Sequence, residues 1–172
     1  MAGCTNALKE WTGKTSAKVI YDSTVDEFTR DGLFNKVRGK PNVAVIATTT
    51  DGDVFGGFYS VAVTMQDWYF YDPNIFAFSF ESHGRCETPQ RFVLKDERKA
   101  KANVKFSKND PNGFVSFGVD CVGFFFLGNE RLDTCCHDLS DAFERLEDTT
   151  LTGKTSWKKP HHCTRLVAVQ LE

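Results

Sequence analysis

Two triplets hold most of the side chains that could bind a metal or react through sulfur: Cys135-Cys136-His137 and His161-His162-Cys163, with 23 residues between them. Thiolate and imidazole are the donors a tetrahedral zinc site selects. Adjacent residues of an extended chain point to opposite sides, so at most two side chains of each triplet can face one ion. Cys135, Cys136, His161 and Cys163 are therefore the candidate ligands. The spacing matches no common zinc module, and reduced thiols beside surface imidazoles are the competing account. Redox chemistry is a second use of the same residues. Cys136 beside His137 could have a lowered thiol pKa and react with peroxide, although the neighbouring acids Asp133 and Asp138 oppose a thiolate there.

Other catalytic and cofactor motifs are incomplete, so no cofactor is expected. Gly-Lys-Thr-Ser occurs at 13–16 and 153–156, but the first glycine of a phosphate-binding G-x-x-x-x-G-K-[ST] loop is replaced by Leu8 and Asp148. The chain lacks G-x-S-x-G, and His83 sits in a turn-like Ser-His-Gly-Arg with no partner legible in sequence. Asp51 and Asp53 lack the loop and closing glutamate of a calcium site, so turn formation is the better account of them.

Charge carries more information. From Arg85 to Lys108 eight basic residues face three acids, whereas from Glu130 to Asp148 seven acids face two bases. Such opposed patches steer partners, and the basic one could neutralise several phosphates of DNA or RNA. Arg91, Lys95, Arg98, Lys99, Lys101 and Lys105 are the candidate contact residues, with Lys154, Lys158 and Lys159 as a second basic group. The alternatives are solvated loop and strand faces, or docking on a protein or an acidic lipid. Phe92 and Phe106, interleaved with these charges, read as core residues rather than base-stacking platforms.

Positioning such groups requires a framework, and the framework reads as sheet. The chain is long enough for a single domain over 1–172, with 41% hydrophobic residues and sixteen Phe gathered in β-like runs. Val43 to Thr50 and Val54 to Val63 flank Asp51-Gly52-Asp53, which predicts an antiparallel hairpin, and Gly56-Gly57 predicts a bulge or a close backbone approach. Short strands follow at Ala17–Tyr21, Ile75–Phe80, Arg91–Leu94, Ala102–Phe106, Phe114–Val119, Val122–Leu127 and Leu166–Leu171, with an aromatic segment at Trp68–Tyr71. Phe76, Phe78 and Phe80 alternate and are expected to face the core. A short helix with Thr29 as N-cap precedes Gly39, and Asp138–Glu147 reads as a helical turn or two on an acidic surface. No apolar run of about 18 residues exists and no apolar leader follows Met1, so neither membrane insertion nor secretion is expected. The expected setting is the reducing cytoplasm, with the nucleus as a second compartment if DNA is bound, and the six Cys fit it as free thiols.

Lys18-Val-Ile-Tyr-Asp-Ser23, Leu33-Phe34, the strand into Asp51-Gly-Asp-Val-Phe-Gly-Gly-Phe-Tyr-Ser60, Ile75-Phe-Ala-Phe-Ser-Phe80 and the closing Leu166–Glu172 occur in an order that resembles a TLDc domain. TLDc domains occur in oxidation-resistance proteins and in regulators of the vacuolar proton pump. The resemblance spans about Leu8 to Glu172. It implies a mainly β, two-sheet antiparallel β-sandwich flanked by short helices, with no agreed catalytic site. It also implies a non-enzymatic role in protection from oxidative stress or in binding vacuolar proton pump subunits. The chain departs from the family pattern at Phe117-Gly-Val-Asp-Cys-Val-Gly-Phe-Phe-Phe126, and Arg131–Thr150 reads as a divergent acidic insertion.

Overall fold

The computed structural model describes residues 2–154 and 159–172; Thr155, Ser156 and Lys158 of the second Gly-Lys-Thr-Ser and basic-tail readings lie outside them. Eleven strands are described: β1 (Ala17–Asp22), β2 (Val43–Thr49), β3 (Val54–Tyr59), β4 (Phe70–Tyr71), β5 (Phe76–Glu81), β6 (Gln90–Val93), β7 (Ala102–Phe106), β8 (Val115–Val119), β9 (Gly123–Leu127), β10 (Cys136–His137) and β11 (Cys163–Leu171). Helices α1 (Ala2–Thr12), α2 (Arg30–Val37) and α3 (Leu139–Ala142) and a 3₁₀ helix at Asp96–Lys101 accompany them. The strands form two antiparallel sheets, one of six in the order β1-β11-β2-β3-β5-β6 and one of five in the order β10-β9-β8-β7-β4. The mainly β, two-sheet expectation holds. None of the described helices is long and apolar enough to cross a membrane.

Alternation assigns the faces. In β2, Val43, Val45 and Ala47 enter the main core, while Ala44 and Ile46 enter a second, smaller one; β11 divides Leu166 and Ala168 from Val167, Val169 and Leu171 in the same way. The main core lies between the sheets, and Phe117 and Phe125 of the five-stranded sheet stack in it at 5.4 Å. The second core lies on the outer face of the six-stranded sheet. Here Leu8 and Trp11 of α1 cover Phe76, Phe78 and Phe80, and Trp11 stacks on Phe80 at 5.7 Å. The phenylalanine alternation of β5 is thus real, but it faces this outer core; Ile75 and Ala77 face the other sheet.

The hairpin forms in the expected register, with Val45 opposite Gly57 and Ile46 opposite Gly56. Its second arm ends at Tyr59 rather than Val63, because the Ser60 N–H and hydroxyl turn to the buried Asp72 carboxylate. Both glycines mark close approach. A Cβ on Gly57 would lie 2.6 Å from Phe117 Cγ, and one on Gly56 would lie 1.9 Å from the Val45 carbonyl oxygen. Thr29 caps α2 as expected, its hydroxyl accepting from Gly32 N at 3.0 Å. The Arg131–Thr150 stretch, with the Asp138–Glu147 turn expected on an acidic surface, does not stay at the surface. It supplies β10 and α3 and buries Cys136, Leu139, Ala142, Phe143 and Leu146 in the main core.

Candidate functional site

The Cys/His triplets meet through one backbone bridge, between Thr134 and His161. Strand geometry then sends their side chains apart. Cys136 pairs with Phe125 and follows it into the core, whereas His137 pairs with Phe124 and stacks on its ring at 5.3 Å on the outer face. Cys135 closes an outward recess of about 210 Å³ with Asn112, Phe124, Phe126 and His137. His161 is buried, with Nε2 3.1 Å from the Phe126 carbonyl, which makes that nitrogen the protonated one. Burial lowers its pKa to about 4. His162 points Nδ1 to the Leu132 carbonyl at 3.1 Å.

Cys135, Cys136, His161 and Cys163 are therefore not gathered around one point, and among the described residues no three His, Cys, Asp or Glu groups converge to hold a metal. The expected reactive thiol at Cys136 also fails on environment. Burial pushes its pKa up, and burial likewise raises Cys163 to about 11 and lifts Cys135, with Asp110 adding to the latter. Protonated, buried thiols are poor nucleophiles and poor ligands. Cys121, in the β8–β9 turn, is exposed.

A polar cluster that the sequence did not reveal holds the hairpin tip. Asp53, almost wholly buried, accepts from the Arg85 guanidinium, which also donates to the carbonyls of Thr150 at 3.0 Å and Leu151 at 3.1 Å. Lys154 pairs with Asp51 at 2.6 Å and holds that carboxyl below its ordinary pKa. His83 Nε2 lies 2.8 Å from the Asp51 carbonyl. These bonds tie the Asp-Gly-Asp turn to the 150–154 segment, and the arrangement is that of a stitch, with its polar groups occupied.

The basic segment is divided between faces. Arg91 lies on the outer side of β6, its guanidinium 5.6 Å from the Phe76 ring centroid and donating to the Trp11 carbonyl. Lys99 pairs with Asp96 at 2.6 Å and lines the same groove as Arg91. Lys105 stands on the outer face of the opposite sheet, 4.9 Å from the Tyr69 ring centroid. Arg98 donates to the Asp141 carbonyl at 3.1 Å, while Lys95 is half-buried just before the 3₁₀ helix and Lys101 is exposed at its last residue. The six cations do not form one stripe.

Beside Lys105 runs the aromatic edge of the five-stranded sheet. Trp68 is 61% and Tyr71 66% exposed, and Tyr69 and Met65 are exposed next to them. Phe70, between them, pairs with Val104 and turns to the main core, which fixes the edge and leaves its neighbours outside. A Trp68–Tyr71 aromatic run was legible in sequence; that it closes a sheet edge was not. The outer face continues inward through Asn103, paired with Tyr71, then Gly118, then Phe124.

No curated protein matches the chain significantly. The family model for the TLDc domain matches residues 5–158. That span takes in both sheets up to the start of β11, the double-glycine hairpin and the phenylalanine strand. The chain belongs to the TLDc domain family.

Proposed function

We propose that this TLDc chain is a non-enzymatic interaction module of the oxidative-stress response, acting in the cytoplasm with the vacuolar proton pump as its protein target. The observation that carries the reading is the aromatic edge formed by Trp68, Tyr69 and Tyr71 beside Lys105. Exposed clusters of large aromatics are uncommon on free surfaces and supply much of the binding energy where partners dock. Of the triplet thiols, Cys136 and Cys163 are buried and burial raises their pKa, which disfavours them as nucleophiles. The test uses membranes carrying the purified pump. Wild-type protein is expected to co-sediment with them and to change ATP-driven acidification, and the Trp68→Ser, Tyr71→Ser double variant to do neither. Absence of wild-type co-sedimentation removes the pump as target; unchanged peroxide survival of cells lacking the protein removes the stress role.

One observation favours a second reading, nucleic-acid contact. Lys105 and Tyr69 place a cation and a π-face together, with Lys101 and Lys108 exposed at either end of β7, which is the chemistry of a single-strand platform. A gel-shift titration at two salt concentrations decides it. Salt-sensitive retention is expected if phosphates are bound, and no retention at micromolar protein discards the reading.

A further inference from the structure

A groove of about 440 Å³ lies on the outer face of the six-stranded sheet, between the end of α1 and strands β3, β5 and β6. Its volume falls within the range of small-molecule sites. The floor is aromatic: Phe58 and Phe76 stack at 4.8 Å, and Trp11 meets Phe76 edge-on at 6.3 Å. One rim is cationic. Strand alternation turns Phe92 inward and leaves Arg91 and Val93 outside, and the 3₁₀ helix adds Lys99. Arg91 gives one Nη to the Trp11 carbonyl and keeps other N–H groups of its fork for a ligand. Among the described residues Lys99 pairs with the highly exposed Asp96, an ion pair that a bound anion can replace at little cost. The other rim is polar and rigid, because the buried Asp72 carboxylate accepts from Ser60 Oγ at 2.8 Å and Asn74 N at 2.9 Å, and Asn74 Nδ2 donates to Ser60 Oγ at 3.1 Å.

An apolar floor beneath two cations and a preorganised polar rim is complementary to one ligand class. We propose that this groove binds a small aromatic carboxylate, its ring on the Phe58–Phe76 floor and its anion held by Arg91 and Lys99. The site lies on the sheet face opposite the aromatic edge and stands or falls independently of pump docking.

The test is a two-dimensional NMR titration of the isotope-labelled full chain with naphthoate, its neutral isostere naphthamide, and acetate. Saturable shifts are expected at the Ser60, Asn74, Phe76 and Arg91 amides with naphthoate, and affinity about tenfold lower for naphthamide. Lys99→Gln is expected to weaken naphthoate binding and Val93→Glu to abolish it, with thermal midpoints unchanged. Arg91→Ala is avoided as the primary variant because Arg91 also anchors α1. Non-saturating or scattered shifts, equal affinity for naphthamide, equal affinity for acetate, or full binding by folded Lys99→Gln and Val93→Glu would each overturn the proposal.

Discussion

Asp53 is a buried carboxyl at the tip of the β2–β3 hairpin. Its side chain is 2% exposed and its charge is met by Arg85, itself 27% exposed. Removing the cation leaves a buried carboxylate with the Thr49 hydroxyl and the more exposed His83 as its neighbours, so Arg85→Ala is expected to lower stability by about 3 kcal/mol, while replacing both members by apolar residues recovers part of the loss, because the Thr150 and Leu151 carbonyls still lose the Arg85 donor. Urea unfolding of the single and double variants measures both. His161 sets a pH dependence. Its folded pKa lies near 4 against 6.5 for the free group, so the unfolded chain takes up the proton first. The contribution is complete above pH 6.5 and declines as pH falls towards 4. Unfolding free energies from urea titration should therefore show about 2 kcal/mol lost between about pH 7 and pH 5, with a smaller loss in His161→Gln, whose amide can still donate to the Phe126 carbonyl. Equal losses in the two proteins would assign the pH dependence elsewhere. The argument that adjacent triplet residues diverge was available from sequence. Their burial was not, since Cys suits a core as well as a reactive surface.

At the scale of elements, Gly57 shows what the double glycine is for. The Phe117 ring of the opposite sheet rests where a side chain would stand, and ring and backbone cannot both remain if a Cβ is added. Gly57→Val is expected to cost about 1–3 kcal/mol or more through overpacking, seen as a lowered thermal midpoint, whereas a substitution at Gly3, with nothing near its Cβ, should leave it unchanged. Strand positions were legible because their alternation is strong in β2, β5 and β11. Helix α1 was not, because one buried Leu8 and a half-buried Trp11 carry its attachment, too few for a helical period to show. A helix this short takes its stability from the surface it covers. The basic segment is divided rather than one patch for a related reason: it crosses from one sheet to the other, and alternation then sends Arg91 and Lys105 to opposite sides of the molecule.

For the whole molecule, the separation of stability from recognition is the testable property. Trp68 and Tyr71 stand outside the packed edge, so replacing both by Ser is expected to change unfolding free energy by no more than about 0.5 kcal/mol. The same variant should lose pump co-sedimentation. A large fall in stability would instead make these aromatics part of the fold. What the sequence determined by itself is the hairpin, its glycine step and the period-two strands, and with them the family, because these are local patterns that backbone sterics translate directly into structure. Which face each strand buries, where the charges gather and which thiols remain accessible was decided by the packing of two sheets and one covering helix. Those outcomes depend on contacts between residues far apart in the chain, and no local spacing encodes them.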